Sequence, residues 1–248
     1  MKKIYLLNLF ILIVFSGCHR SASTNEGNNL GFVQTDDTQL TYILPAPNTD
    51  GTISVEKALA HRRSHRQFTN EALSPAQLSQ ILWAAYGITE PRENPAFLRG
   101  GFRTAPSAGA LYPFEIYAIV GNVKDIESGV YKYISEENKI VRMIEGNVRE
   151  QLCVACWGQK MVQEAPATIF YSAIYSRTTN KYGDRGRERY VCMDLGHSAQ
   201  NIYLQAEAMQ LGTCAIGAFV DEEVSKVLQL PDEEEPLYLM PVGYWEEK

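Results

Sequence analysis

The order in which helical and strand-like patterns follow one another constrains the fold of this chain more than any other feature. Apolar residues recur at helical spacing after Ser74 and again between Leu195 and Met209. Strand-like runs lie between and after these segments, at 114–120, 130–134, 140–144, 168–175 and 237–244. Because helices and strands do not alternate regularly, the chain is predicted to fold as an α+β domain.

The clearest helix begins at the sequence Ser74-Pro75-Ala76-Gln77. Ser74 is a predicted N-cap residue, Pro75 suits the first helical position, and Gln77 can complete a capping box. Gly87 is predicted to end this helix as a C′ residue. An earlier helix is predicted from Ser54 to Arg63.

The N-terminus is predicted to be a targeting segment outside the fold. Lys2 and Lys3 precede an apolar stretch, 4–15, that is too short for a confident membrane span. Residues 16–18 resemble a bacterial lipobox, in which Cys18 would be lipidated and become the mature N-terminus. An ordinary cleaved signal peptide and a fortuitous apolar start are the alternatives.

This interpretation divides the chain into a lipoprotein signal peptide (1–18), a flexible tether (19–50) and a folded domain (51–248). The tether is rich in small polar residues and shows little apolar periodicity. The protein is therefore expected to be exported and held at a membrane by its lipid alone, facing the periplasm.

Composition and cysteine spacing exclude some classes of protein. The net charge of −6 disfavours nucleic acid as a partner, because phosphate binding needs a basic face. Cys153 and Cys156 form a C-x-x-C pair, but no second Cys/His cluster completes a zinc site, so no metal is predicted. Buried free thiols are the favoured interpretation, and a disulfide stays open in an oxidising compartment.

Three segments are candidates for ligand binding. Residues 62–66 bring three arginines and a serine together, a combination that suits phosphate, although a solvated basic helix end would look the same. Residues 103–113 and 211–219 are rich in small residues, which allow a flat ligand to approach the backbone. Each of these two segments could also be a simple tight loop.

Together, and in this order, these segments resemble the nitroreductase family. The resemblance rests on an R-x-S-x-R segment at 62–66, a P-S loop at 106–113, a D-x-G-H helix at 194–201 and the glycine-containing stretch 211–219. Residues 103–113, 181–183 and 194–197 are similar to the SagB/ThcOx-type dehydrogenase branch, which includes azoline oxidases. The resemblance covers about residues 51–244.

The resemblance implies a nitroreductase-like α+β fold, with a central mixed, mainly antiparallel sheet flanked by helices. It also implies an intertwined homodimer with FMN at the interface. The implied contacts to the FMN phosphate and ribityl chain are Arg62, Arg63, Ser64 and Arg66. The partner chain would supply Pro106, Ser107 and Ala108, and the backbone of Gly217 and Ala218 would face the flavin N5 edge.

Two further assignments concern charge and catalysis. The chain lacks the basic residues that many nitroreductases carry after the last strand, and Arg103 is expected to supply part of that charge. Lys181 and Tyr182 match a Lys-Tyr pair that helps azoline oxidases remove a ring proton. Both groups would need shifted pKa values to act as a base near neutral pH. The alternative for this pair is a solvated basic loop.

The predicted function is that of an FMN-dependent oxidoreductase, a SagB-type dehydrogenase transferring hydride between flavin N5 and a small or peptide-borne substrate. The alternatives are an NAD(P)H-dependent reductase of nitroaromatics or quinones and a degenerate member that binds a ligand without turnover. An exported domain would meet little NAD(P)H, which favours the dehydrogenase.

Overall fold

The computed structural model describes the backbone of residues 31–32 and the whole of residues 39–245. Strands are β1 (Gly31–Phe32), β2 (Thr41–Ile43), β3 (Ile88–Pro91), β4 (Gly101–Arg103), β5 (Phe114–Val120), β6 (Gly129–Ile134), β7 (Lys139–Glu145), β8 (Ala167–Ala173), β9 (Gly212–Thr213) and β10 (Glu235–Gly243). Helices are α1 (Val55–His61), α2 (Pro75–Tyr86), α3 (Arg149–Ala155), α4 (Met161–Glu164), α5 (Ser176–Tyr182), α6 (Val191–Ala208) and α7 (Asp221–Leu228).

One eight-stranded sheet organises the domain, in the order β1-β2-β7-β6-β5-β8-β10-β9. Each pair of neighbouring strands is antiparallel, while isolated parallel bridges join Ser64 to Thr213 and Leu73 to Val123. Strands β3 and β4 form a separate hairpin. The predicted α+β class and mainly antiparallel sheet are confirmed.

Helices cover both faces of the sheet, which explains why its central strands are apolar throughout. All seven residues of β5 are buried, as are all seven of β8. One face packs against α2 and α6 through residues such as Leu82 and Ile202. The other face packs against α3, α4 and α7 through residues such as Leu152 and Val224. The sheet and the helices on its two faces therefore form a three-layer core.

The start of α2 follows the sequence prediction. Ser74 is the N-cap, and its side chain accepts a hydrogen bond from the Gln77 amide at 3.2 Å. The Gln77 side chain accepts one from the Ser74 amide at 2.8 Å, which completes the capping box. The helix ends at Gly87 as predicted, but Gly87 is the C-cap residue in an extended conformation and not a left-handed C′ residue. Its missing side chain leaves room for the Trp83 ring, which an added Cβ would overlap.

The predicted tether needs correction in its last part. Residues 41–43 form β2, which pairs with β7, and the side chains of Tyr42 and Leu44 are buried in the core. A three-residue strand is too short to show a clear apolar period, so sequence alone did not distinguish it from a linker. Residues 1–30 and 33–38, including Cys18 and most of the predicted tether, lie outside the described residues.

Candidate active site

The basic segment 62–66 lies against the glycine-containing stretch 211–219. The His65 amide donates to the Thr213 carbonyl at 2.9 Å, which fixes the two segments side by side. The Ser64 hydroxyl lies 3.0 Å from the Tyr203 hydroxyl, and the Tyr203 hydroxyl accepts a hydrogen bond from the Ala215 amide at 2.9 Å. Tyr203 on α6 therefore holds both segments in place.

The arginines of this segment differ in their contacts, and the Arg63 guanidinium donates to the carbonyls of Ala60 at 3.1 Å and Arg62 at 2.8 Å. The Arg62 guanidinium lies 5.4 Å from the centre of the Tyr203 ring, and Arg66 is close enough to Cys214 for its charge to lower the pKa of that thiol. Burial outweighs this effect, and the pKa of Cys214 is raised. Within the described residues, no carboxylate forms an ion pair with Arg62, Arg63 or Arg66. Arg63 and Arg66 are exposed and Arg62 is half-buried. Guanidiniums without a carboxylate partner beside a serine suit a phosphate.

Gly217 and Ala218 come just after Ala215, the residue whose amide is bonded to Tyr203. Ile216 exchanges backbone hydrogen bonds of 2.8 and 3.0 Å with Leu239 of β10, which anchors the chain just before Gly217. Both residues are exposed, and their amides donate to no acceptor in the part of the chain that the structure describes. The Ala218 carbonyl accepts a hydrogen bond from the Gln159 side chain at 2.8 Å. The two amides are thus held on a fixed backbone and open to a ligand.

The second small-residue loop is anchored to the start of α6. The Ser107 hydroxyl donates to the buried Asp194 carboxylate at 2.6 Å, and the Ala108 amide donates to the same carboxylate at 3.1 Å. The Tyr112 amide donates in turn to the Ser107 hydroxyl at 3.0 Å. Burial raises the pKa of Asp194, and the hydrogen bonds from Ser107 and Ala108 offset part of this increase. Pro106, Ser107 and Ala108 are thereby fixed by their own chain.

Lys181 and Tyr182 lie against this loop. They end α5, so the pair lies on a helix and not in a loop, with Lys181 exposed and Tyr182 half-buried. Gly109 is left-handed, with a φ of 63°, and a Cβ at this position would lie 2.7 Å from the Tyr182 hydroxyl and 3.1 Å from Lys181 Nζ. The loop needs a glycine there so that both functional groups can approach its backbone.

The expected role of Arg103 is contradicted. Its side chain is only 1% exposed and lies over the rings of Tyr86 and Tyr112. Its guanidinium donates to the Tyr86 carbonyl at 2.9 Å, the Arg99 carbonyl at 2.7 Å and the Ser135 hydroxyl at 2.5 Å. Burial lowers the pKa of this guanidinium. Arg103 ties β4 to α2 and cannot reach a phosphate at the surface.

The predicted site residues therefore form two separate groups. Group A comprises the segment 62–66 with Gly217 and Ala218, braced by Tyr203, and group B comprises 106–110 with Lys181 and Tyr182, anchored by Asp194. Asp194 and Tyr203 are nine residues apart on α6, which amounts to roughly 14 Å along the axis and half a turn around it. Within one chain, the two groups lie on opposite flanks of α6.

Sequence reasoning missed the residues that brace these groups. Asp194 stood in a recognised motif, but nothing nearby in sequence identified Ser107 as its partner 87 residues away. Tyr203 bonds Ser64 across 139 residues, and Gln159 bonds Ala218 across 59. A polar residue on the flank of a helix was the only available signal. Such contacts depend on tertiary packing.

A cavity of about 740 Å³ lies elsewhere, between α1, α2 and α6. Its lining includes Gln80, Trp83, Asn201 and Gln205, and no residue of group A or group B. Size alone therefore does not identify the site, and the free amides and unpaired arginines are the better guide.

In the described residues, no three His, Cys, Asp or Glu side chains meet as a metal ion would require, and no helix has the length and apolar character to cross a bilayer.

Comparisons with known proteins identify the family of this chain. Residues 59–244 match the model of the nitroreductase family. MJ1384 of Methanocaldococcus jannaschii, provisionally named a nitroreductase, is 47% identical over 191 residues, which cover 77% of this chain and 91% of that protein.

Two solved structures have similar folds. A protein of Anabaena variabilis, also provisionally named a nitroreductase, is 29% identical with a TM-score of 0.66; the match covers 77% of this chain but only 38% of that one. The Escherichia coli microcin synthetase complex McbBCD, solved with truncated pro-MccB17 bound, contains a chain 22% identical to this one with a TM-score of 0.62. That match covers 83% of this chain and 78% of the synthetase chain.

Proposed function

Because this chain belongs to the nitroreductase family, a family of oxidoreductases, we propose that it is an FMN-dependent dehydrogenase of the SagB type. Its reaction removes a hydride and a proton from a small or peptide-borne substrate, and the hydride goes to the flavin. The observation that carries this proposal is the pairing, within group A, of unpaired arginines with free backbone amides on one rigid support.

The residues of group A fit FMN by their chemistry. Arg62, Arg63 and Arg66 would bind the phosphate, with the Ser64 hydroxyl adding a neutral hydrogen bond. The amides of Gly217 and Ala218 would donate to the N5 edge of the ring. When bound, FMN supplies two-electron chemistry by exchanging a hydride at N5.

Group B fits the handling of a proton. Lys181 Nζ and the Tyr182 hydroxyl both approach the backbone at Gly109, so each can reach a substrate held over this loop. The Tyr182 ring packs edge-on against Tyr190, with centroids 4.9 Å apart, which restricts its orientation. We assign to this pair the proton that leaves the substrate as the hydride departs.

The position of the two groups on opposite flanks of α6 supports the proposal that the protein works as a homodimer. A two-fold partner can place its group B opposite group A, so that residues of both chains would face the same flavin. Val55 and Leu59 of α1, which are 63% and 52% exposed, offer apolar surface for such a contact. The flavin would lie at the interface.

A peptide-borne substrate is the favoured class. The McbBCD complex was solved with truncated pro-MccB17 bound, and one of its chains has this fold.

The N-terminal signals support a proposed location outside the cytoplasm, with Cys18 as the lipid anchor. Replacement of Cys18 by serine is then expected to release the protein from the membrane fraction. Retention of the Cys18→Ser variant in that fraction would contradict the anchor.

The absorbance spectrum of the chain without residues 1–18 tests the cofactor on which the proposed function depends. We expect a yellow protein that releases about one FMN per chain on denaturation, and a double variant, Arg62→Ala with Ser64→Ala, that is isolated largely without flavin. A matched double variant, Arg142→Ala with Ser128→Ala, removes an arginine and a serine outside both groups and should stay yellow. Wild-type protein that is colourless and cannot be reconstituted would overturn the proposal.

A further inference from the structure

Glu115 is a buried charge in a central strand of the sheet. It is the second residue of β5, and only 8% of its surface is exposed. An ionised carboxylate among apolar residues is costly unless cations compensate it. Burial alone would raise the pKa of Glu115, but the cations around it outweigh burial and the pKa is lowered. The carboxylate is therefore ionised in the folded protein and depends on its partners.

Three cations from different parts of the chain converge on this carboxylate. Glu115 Oε1 accepts a hydrogen bond from Arg99 at 2.7 Å and lies 2.6 Å from Arg177 Nη1. The other oxygen, Oε2, lies 3.1 Å from Lys132 Nζ. Arg99 lies just before β4, Arg177 in α5 and Lys132 in β6, and their side chains are 27%, 24% and 25% exposed. The three differ mainly in what they join to Glu115.

Arg99 holds the chain directly after the loop of group B. Its Nη1 donates to the Tyr112 carbonyl at 2.6 Å, while its Nη2 is bonded to Glu115. Ala110 and Tyr112 are left-handed, with φ values of 56° and 45°, an unfavourable conformation for residues that carry a side chain. Backbone strain of this kind persists only where surrounding contacts determine it, and Arg99 supplies such a contact at Tyr112.

Arg177 fixes the helix that carries Lys181 and Tyr182. It is the second residue of α5 and lies four residues before Lys181, a spacing that places two side chains on one face of a helix. A helix of seven residues has little stability of its own, so its position depends on contacts such as the ion pair with Glu115. This ion pair therefore limits the rotation of α5 about its axis and fixes the position of Lys181 beside the loop.

We propose that Glu115 is a positioning residue that sets the distance between the Lys-Tyr pair and the loop of group B. Through Arg177 its carboxylate holds α5, and through Arg99 it holds the chain after the loop. One buried group thus joins the two sides of group B. The assignment rests on the proposed function, because that function gives Lys181 and Tyr182 the proton of the reaction.

Lys132 is the matched control, because it binds the same carboxylate from outside group B. It extends from β6, and within the described residues its side chain has two further partners, Glu234 at 3.1 Å and the Tyr117 ring at 5.5 Å. Lys132→Met therefore removes a cation of similar exposure from Glu115 and leaves both sides of group B attached to it.

Hydrogen exchange of the protein as isolated tests the physical link. Arg177→Met should speed exchange about tenfold in residues 106–113 as well as in α5, and Arg99→Met should speed it equally in α5 as well as in the loop. Lys132→Met should lower the urea midpoint and leave exchange in both segments unchanged. Arg177→Lys keeps the positive charge and should restore exchange to within about threefold of wild type.

Anaerobic reoxidation of FMN-loaded protein, reduced with stoichiometric dithionite, tests the consequence for proton transfer. A water-soluble 1,4-naphthoquinone takes up a hydride and a proton to become the hydroquinone, whereas ferricyanide takes up electrons alone. Arg177→Met and Arg99→Met should lower the limiting rate with the quinone about tenfold and leave its apparent Kd within about twofold of wild type. The ferricyanide rate should not change, and Lys132→Met should match wild type in all three quantities.

The outcomes separate this assignment from the proposed function. Equal effects of Lys132→Met and Arg177→Met would overturn the role of Glu115, because they would indicate a general loss of stability. Faster exchange confined to the side of group B that carries the substitution would also overturn it. If exchange is coupled as expected but a Lys181→Met, Tyr182→Phe double variant reduces the quinone at the normal rate, the proton role of the pair in the proposed function is overturned instead.

Discussion

The Tyr203 hydroxyl joins the basic segment to the glycine-containing stretch through a side chain, in addition to the backbone hydrogen bond between His65 and Thr213. It lies 3.0 Å from the Ser64 hydroxyl and accepts a hydrogen bond from the Ala215 amide. Tyr203→Phe removes both contacts and should weaken FMN binding about fivefold to tenfold, since one hydrogen bond contributes about 1 kcal/mol. A fluorescence titration of FMN into flavin-free protein measures the change. Tyr133→Phe, which removes a hydroxyl bonded to Asn138, is the control and should bind FMN as wild type does.

Buried thiols make the free energy of unfolding depend on pH in the alkaline range. Cys156 is fully buried, and burial raises its pKa to about 12. The folded state therefore holds the thiol proton more tightly than the unfolded state does, so this contribution to stability is present below the ordinary cysteine pKa and is lost as pH rises towards 12. Between pH 8 and 10, wild type should lose roughly 1 kcal/mol more than Cys156→Ala in urea unfolding.

The exposed Cys192 provides the control for this experiment. Cys192→Ala should lose stability with pH as wild type does. Parallel curves for wild type and Cys156→Ala would show that this thiol does not contribute to the loss.

Single residues could be proposed as ligands where the residue type itself carried the chemistry. Ser64 and Arg66 were identified because hydroxyl and guanidinium groups within five residues suit a phosphate. Arg103 looked equally suitable, but carbonyls of Tyr86 and Arg99 converge on it from other parts of the fold. Sequence gives no sign of such a convergence, because it depends on how the β3–β4 hairpin packs on α2.

Contact between α5 and the 106–110 loop is the feature that positions Lys181 and Tyr182. Gly109→Ala places a methyl group 2.7 Å from the Tyr182 hydroxyl and also strains the left-handed backbone by about 1–2 kcal/mol. We expect faster hydrogen exchange in α5 and a loss in unfolding free energy that exceeds the backbone strain.

Gly146→Ala is the matched variant for this prediction. Gly146 also has a positive φ, of 87°, but no atom lies within 4 Å of its added Cβ. The loss in unfolding free energy of Gly146→Ala should be limited to the backbone strain, and hydrogen exchange in α5 should not change. Equal effects of the two substitutions would mean that the loop does not position the Lys-Tyr pair.

Elements were predictable to the extent that their signals were local. The start of α2 is specified within Ser74–Gln77, and the structure has the same N-cap, proline and capping box. Strand β2 contains three residues, and its position is set by pairing with β7, about 100 residues later in the chain. An element that short is stabilised by its neighbours in the sheet, which explains why the tether was placed too far into the domain.

The architecture of the whole molecule could be predicted further than the arrangement of its site. Apolar runs such as 114–120 and 168–175 indicated central strands covered on both faces, and helices do cover them. The division of the site residues between two flanks of α6 was not predictable from motifs. It depends on Asp194 and Tyr203 lying on opposite sides of one helix. It also depends on the hydrogen bonds of Asp194 to Ser107 and of Tyr203 to Ala215, which form only in the folded chain.

This division yields a prediction about heterodimers. Arg62→Ala with Ser64→Ala disables group A, while Ala108→Trp places a bulky ring on the loop of group B. Each variant alone should form a dimer that lacks FMN, because every flavin site in it contains one damaged half. In a heterodimer of the two variants, one site contains both damaged halves and the other contains both intact ones.

The heterodimer can be isolated with a different affinity tag on each chain, and its flavin content then decides between two arrangements. If the flavin lies between group A of one chain and group B of its partner, the heterodimer should bind about one FMN per dimer although neither homodimer binds any. If each chain held a complete site, both chains would stay defective and the heterodimer would be colourless. A wild-type pair carrying the same two tags should bind about two FMN per dimer, which shows that the tags do not interfere. A single chain of either variant lacks one of the two groups, so FMN binding by the heterodimer requires residues of both chains. One FMN per heterodimer would therefore establish that the partner completes the site.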